Sequence, residues 1–307
     1  MSALTTSSNP ASLLQPKVLI PFLIVTAIWG STWLVIKDQV SAVPPGWTVT
    51  WRFALATVGM VMLAVVRREP LRLSGEGLRL AFLVGFSQFC LNFQFVYRAE
   101  QHLTSGVVAV LYALLIVPNT LLARIFLKQV VSVRFLAGSV VAIAGIALLL
   151  LHEYQSGPAG NGIALGVLFT AAGLLSASTA NILQAGPVGR RQSVVPLIAW
   201  SMLLGTVVDA AFSWAVSGPP VIDPRPLYLG GIAYLAIFGS VVTFPLYFSL
   251  IRAIGPGRAA YSSVAVPVVA MALSTLFEGY SWAGLAVGGA VLALTGLVIA
   301  LSGKQRS

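Results

Sequence analysis

Residues 18–36 read VLIPFLIVTAIWGSTWLVI, and no charge interrupts them between Lys17 and Lys37. A helix needs about 20 mostly apolar residues to cross the hydrocarbon core of a bilayer. The run is too long for the apolar region of a usual secretory leader, lacks a small-x-small cleavage site, and is followed by more runs of its kind. It reads as an uncleaved first membrane span, and the chain around it as an integral membrane protein.

The rest of the 307-residue chain repeats this pattern. Apolar runs lie near 18–36, 47–66, 79–97, 104–127, 134–151, 162–183, 194–216, 228–250, 258–277 and 282–302. Their length and continuity predict helices, not the shorter alternating segments of a barrel. Composition points the same way. The chain is 58% hydrophobic and 8% charged, whereas a soluble domain carries about 25% charged residues to solvate its surface. An exterior this poor in charge faces lipid.

The formal net charge of +10 invites a nucleic-acid partner, yet no basic stripe interleaves with aromatics. The Lys and Arg residues sit between apolar runs, where they pin loops to a bilayer surface; lipid is the expected partner and nucleic acid is not. With the N-terminus in the cytoplasm, fourteen basic residues fall on the cytoplasmic side. Three, Lys37, Arg98 and Arg225, fall opposite, and Arg52 lies within the second span. That asymmetry predicts two cytoplasmic termini and an even number of spans, ten. Residues 1–16, rich in Ser, Thr and Asn, read as a disordered cytoplasmic tail, and 304–307 as a second tail.

The two halves echo one another. Trp51 and Trp200 are 149 residues apart, as are Pro118 and Pro267, each within a span of its half. The span after each proline is glycine-rich, with Gly138 and Gly145 in the first half and Gly288, Gly289 and Gly296 in the second. Ten spans split into five and five, and because five is odd the second copy enters the membrane upside down. Inverted repeats build many secondary transporters, with the substrate held near the midplane where the repeats meet. The expected architecture is an all-α integral membrane protein of ten transmembrane helices in two inverted five-helix repeats, residues 17–151 and 152–303.

Trp29-Gly30-Ser31-Thr32-Trp33 resembles the signature in the first span of the EamA-type drug/metabolite transporter superfamily. Trp51-Arg52-Phe53, the short 98–105 joint, and Pro267 followed by Phe277-Glu278 fit the same pattern, and the similarity covers roughly residues 18–302. Within the superfamily the chain looks most like the YddG-type exporters of aromatic amino acids. One departure is Lys128-Gln129, where the family usually has an acidic residue at the end of the fourth span. The resemblance implies a central cavity ringed by spans one, three, four, six, eight and nine, with five and ten to one side.

A polar side chain in a spanning helix is costly unless it faces protein or water, which yields candidates independent of the family. In the third span Gln88 and Asn92 are four residues apart, on one face of an α-helix; they suit a substrate's amino and carboxylate groups, or glue between helices. Trp29, Trp33, Tyr112 and Tyr261 offer flat π faces to an aromatic or cationic cargo, as does Tyr247, whose place near a span end also suits an interfacial anchor. Thr32 and Ser176 complete the expected binding set. Pro118 and Pro267 are candidate matched hinges, or static kinks. Arg52 and Asp209 are the conspicuous intramembrane charges, expected to be structural rather than substrate-binding, and able to neutralise one another if their helices touch.

Two histidines, His102 and His152, both expected in loops, and the lone Cys90 do not assemble a usual metal site. No Ser/His/Asp set converges and no phosphate-binding loop is present, so neither an enzyme nor an ATP-driven pump is expected, and no cofactor. Phosphate-bearing cargo is disfavoured by the lack of a deep Lys or Arg pair in the cavity spans. The expectation is a secondary exporter of small zwitterions in a cell inner membrane, aromatic and other neutral amino acids first and aromatic cations as further cargo. A multidrug or nucleoside-like exporter stands second, and a receptor or scaffold without flux third. A monomer is expected, with Gly284 and Gly288 packing inside the chain or pairing two copies.

Overall fold

The computed structural model describes residues 15–41, 43–128, 131–156, 162–254, 262–280 and 282–302. The tails expected at 1–16 and 304–307 lie outside this set, apart from residues 15 and 16. Every regular element among the described residues is helical. Eight helical segments are long and apolar enough to cross a membrane: Pro16–Gln39, Pro45–Val66, Gly75–Ala99, Ser105–Leu127, Val133–His152, Ile163–Ala185, Val194–Ser217 and Pro226–Leu250. Two further apolar helices, Ala265–Phe277 and Gly284–Ala300, are shorter over their described residues. These segments are called the first to tenth helices below.

Local chemistry sets the starts and stops. Pro16, Pro45 and Pro226 open the first, second and eighth helices, where a missing N–H costs nothing and φ is already helical. Ser74 caps the third helix through Gly77 N at 3.1 Å. The seventh helix stops at Gly218, whose φ of 75° is in the left-handed region that favours glycine.

Three spanning helices are irregular, which hydropathy alone does not foretell. The third and the eighth each carry a π-helical stretch, Gly85–Asn92 and Ile237–Val242. Pro245 lacks an N–H for the carbonyl four residues back, at Val241, which loosens the eighth helix there. The fourth helix is broken into Ser105–Ala113 and Ile116–Leu127. Pro118 has no N–H for the carbonyl of Leu114, and that oxygen instead accepts from Val117 N at 2.8 Å, a tighter turn. Pro267, by contrast, sits inside an unbroken helix.

The helices pack in a specific pairing: fifth on tenth, second on seventh, first on eighth and ninth, third on sixth, and the first half of the fourth on the ninth. Glycines allow the closest of these. A Cβ at Gly138 would overlap Gly296 and Ala300, and one at Gly145 would overlap Gly289 and Ala293, so the fifth and tenth helices run antiparallel at backbone contact. Among the described residues, a Cβ at Gly284 or Gly288 would meet nothing within 4 Å, so close packing there does not call for glycine, contrary to the expected use of that pair inside the chain. Large apolar side chains such as Met62, Phe126, Leu168 and Val291 are exposed, as befits a lipid-facing surface. His152, expected in a loop, is buried within the helix Val133–Ser156.

Candidate functional site

The expected binding residues form two aromatic pairs resting on one helix. Trp29 and Trp33, four apart on the first helix, share a face. Trp29 lies against Tyr247 of the eighth helix, ring centroids 4.9 Å apart, with Phe244 edge-on at 5.7 Å. Trp33 lies against Tyr112 of the fourth helix at 5.1 Å. The Tyr112 hydroxyl donates to Asn92 Oδ1 at 2.7 Å, tying the fourth helix to the third. It lies so close to Gly173 that any side chain there would overlap it, so the sixth helix presents bare backbone. Five helices thus meet in one cluster of aromatic and amide side chains.

Gln88 is 9% exposed, and its side chain makes no hydrogen bond to another described residue. Gln88 and Asn92 both lie in the π stretch, not in the α-helix expected; its wider turn of about 4.4 residues still keeps positions four apart on one face. Thr32 and Ser176 turn their hydroxyls onto their own helix, donating at 2.8 Å to Trp29 O and Ala172 O, and offer a ligand only an acceptor. Tyr261 lies outside the described residues. Ser31 and Tyr234 share a 2.6 Å hydrogen bond between the first and eighth helices.

The two intramembrane charges do not pair, although their helices pack together. Asp209 accepts from Thr50 Oγ1 at 2.7 Å and from Gln94 Nε2 at 2.6 Å, joining the second, third and seventh helices. Its two oxygens are taken up by neutral donors, and Gln94 in turn bonds Arg98. Arg52 turns to the other side of the second helix. There it meets Tyr97 Oη at 3.2 Å, Ser240 Oγ at 3.3 Å and Gly239 O at 3.4 Å. Tyr97 is fully buried beneath this guanidinium.

At the end of the bundle that carries Lys37 lies a cluster that sequence reasoning missed. Lys37 Nζ donates to the backbone carbonyls of Glu100 at 2.5 Å and Leu103 at 2.8 Å. Glu278, after the ninth helix, accepts from the hydroxyl and backbone N–H of Ser105. Glu100 itself is fully buried, with neither carboxyl oxygen hydrogen-bonded. That burial pushes its carboxyl well above the usual range; Lys37 pulls the other way and Glu278 adds to the rise. The first, third, fourth and ninth helices are thereby sealed together. An acid in a joint as short as 98–105 was the available signal, because so short a connection cannot carry Glu100 far into water.

A separate recess of about 470 Å³ opens near Leu127, Ala185, Pro187, Arg190 and Arg191 at the opposite ends of the fourth and sixth helices. Among the described residues, no three His, Cys, Asp or Glu side chains are grouped to hold a metal.

Known proteins place this arrangement. Protein PagO of Salmonella typhimurium is 25% identical over 261 residues, covering 85% of this chain and 84% of its own. A probable amino-acid metabolite efflux pump of Escherichia coli K12 is 26% identical over 294 residues, covering 92% and 94%. A solved crystal structure of a protein shares the fold, with a TM-score of 0.69 at 16% identity over 92% of this chain and 95% of that one. The model of the EamA-like transporter family matches residues 17–151 and again residues 164–302. With nearly the whole chain accounted for by two copies of that pattern, the protein is a multi-pass membrane transporter belonging to the EamA-like transporter family.

Proposed function

We propose that the protein exports small zwitterionic metabolites, aromatic and other neutral amino acids first, by alternating access across the inner membrane. In this proposal ten spans form two inverted repeats, 17–151 and 152–303, with both termini cytoplasmic. The repeat is supported by the two family matches and by the reciprocal glycine contacts of the fifth and tenth helices. The orientation is supported by fourteen basic residues against three.

The observation that carries the choice of cargo is the lining itself: Trp29–Tyr247 and Trp33–Tyr112 supply π faces, Gln88 and Asn92 supply neutral amides, and no acidic side chain is among them. Rings take an aromatic body, and amides take its amino and carboxylate groups. A permanent organic cation finds no counter-charge here, which ranks viologen-like cargo below amino acids. The name of the Escherichia coli relative, a probable amino-acid metabolite efflux pump, agrees.

Packing of the fourth helix supports the transport cycle. In Ser105–Ala113 every residue but Tyr112 is buried, whereas in Ile116–Leu127 only Ile116 and Ala123 are. The bundle is closed at the Lys37 end and loosened at the other. With cytoplasmic termini, this is the inward-facing state, held by the Lys37 and Glu278 contacts.

Uptake of radiolabelled phenylalanine into proteoliposomes tests the reading, with Gln88→Ala and Asn92→Ala as variants. Each variant should lower flux about tenfold, the worth of one or two buried hydrogen bonds, without lowering membrane yield. No flux of phenylalanine or threonine by the unaltered protein would end the amino-acid assignment. Methyl viologen flux alone would favour the organic-cation alternative.

A further inference from the structure

The transport site so far described lacks a positive group for a carboxylate, and the structure places one beside it. Arg52 is 2% exposed. The only ion pair among the described residues is Arg225–Asp223, so the Arg52 guanidinium is buried without a counter-ion. Its contacts among the described residues are neutral: Tyr97 and the Phe93 ring from the third helix, Ser240 Oγ and Gly239 O from the eighth, and Phe53 from its own. The hydrogen bonds are 3.2–3.4 Å long, against about 2.7–2.9 Å for a guanidinium on a carboxylate. Two aromatic faces, at 4.5 and 5.0 Å, offset part of the burial. The forked donor set that matches a carboxylate is left on weak, neutral acceptors.

The position of this guanidinium connects it to the aromatic lining. Gly239 O accepts from Arg52 Nη2 at 3.4 Å and also from Trp29 Nε1 at 3.3 Å. The Arg52 fork and the Trp29 indole are therefore within two hydrogen-bond lengths of each other. Gly239 has no side chain, and the spot where one would sit is closely bounded by Thr32 Cγ2 at 3.0 Å and Arg52 Nη2 at 3.4 Å, so only a bare backbone brings this carbonyl so near the fork. The glycine falls in the π stretch of the eighth helix, the kind of irregularity that recurs at functional sites.

We propose that Arg52 is the carboxylate-recognition residue of the transport site, taking the carboxylate of an amino-acid cargo while Trp29 and Tyr247 hold its body. The proposal rests on the amino-acid reading above and sharpens it: the cargo must carry a carboxylate, and an amine or cation of the same shape is rejected. A carboxylate at this place exchanges the long bonds to Ser240 and Gly239 for short charge-assisted ones. The burial of an unpaired charge is then relieved only when cargo is aboard.

The test compares cargo analogues on the reconstituted full-length protein, by competition against labelled phenylalanine. In the unaltered protein, phenylalaninamide and phenethylamine should compete at least about tenfold more weakly than phenylalanine, the scale set by one charged hydrogen-bonded contact. Arg52→Gln should reduce that gap to about twofold or less, and Arg52→Lys should retain part of it. Gly239→Ala, whose methyl would press on Thr32 Cγ2 and touch Arg52 Nη2, should weaken phenylalanine more than the amide; together with Arg52→Lys, which keeps the charge, it covers the case in which Arg52→Gln does not fold. Melting temperature in detergent monitors folding throughout. If phenylalanine is carried but the unaltered protein takes the amide equally well, or if Arg52→Gln keeps the full gap, Arg52 is structural and the amino-acid assignment survives. If phenylalanine is not carried at all, both fall together.

Discussion

Gly138 of the fifth helix and Gly296 of the tenth lie backbone to backbone, each occupying the place where the other's Cβ would stand. The same relationship holds between Gly145 and Gly289. The two contacts are reciprocal, the earlier glycine of each helix lying against the later glycine of the other. In lipid, helix association draws on such close packing because the tails outside are as apolar as the helix surfaces. Gly296→Leu should destabilise the protein by about 3 kcal/mol, at the top of the range for overpacking, read as a lowered melting temperature in detergent. Gly288→Leu, where an added Cβ would meet none of the described residues within 4 Å, should have almost no effect. Equal losses for the two substitutions would refute this packing.

The Lys37 clamp makes a directional prediction. A single ammonium holds two backbone carbonyls of the joint between the third and fourth helices. Hydrogen bonds to a charged group contribute about 1.5–3 kcal/mol each. Lys37→Met should therefore shift the population toward the state open at this end. In a background with Cys90→Ala, a cysteine introduced at Val108, fully buried between the closed helices, should react faster with an impermeant thiol reagent when Lys37 is replaced. An unchanged labelling rate would remove the clamp from the gate.

How much of this was legible beforehand follows from what each feature depends on. The spans were, because a run such as 194–216 is long, apolar and uncharged in itself, and the helix found there is Val194–Ser217. The aromatic pairs were half legible: the residue types announced Trp29 and Tyr112, but only the fold says that Trp29 meets Tyr247 and Trp33 meets Tyr112. Partner choice was not legible at all. Arg52 and Asp209 are opposite charges on touching helices, yet a rotation about the second helix sends them to different neighbours. Glu100 was read as part of a joint, and what matters about it is that the joint is buried.

Glu100 gives the seal a pH dependence whose sign follows from its raised pKa. The closed state, in which this carboxyl is buried, binds the proton more tightly than a state that hydrates it. Closure is therefore strongest below the ordinary carboxylate value of 4.5 and weakens as pH rises above it, until the raised value is passed. Lys37 and Glu278, the charged groups facing it, moderate and add to the effect respectively. Glu100→Gln should flatten the slope and hold the seal closed at neutral pH. Melting curves of the two proteins between pH 5 and 8, together with the labelling assay above, check this. Parallel pH profiles for both would mean that another group sets the response.

The prolines distinguish a hinge from a kink. At Pro118 the fourth helix is interrupted, and the carbonyl of Leu114 has turned to Val117 N. At Pro267 the ninth helix runs through without a break. The break at Pro118 also separates the densely buried half of the fourth helix from its loosely packed half, which is where opposite ends of a carrier must move independently. Pro118→Ala restores the N–H that Leu114 lacks and favours one continuous helix. It should raise the melting temperature or leave it unchanged while slowing phenylalanine exchange several-fold, since a stiffer helix resists the change of state. Pro267→Ala should alter the rate much less. The asymmetry is the discriminating result, because matched hinges would make the two substitutions equally slow, and static kinks would leave both rates where they were.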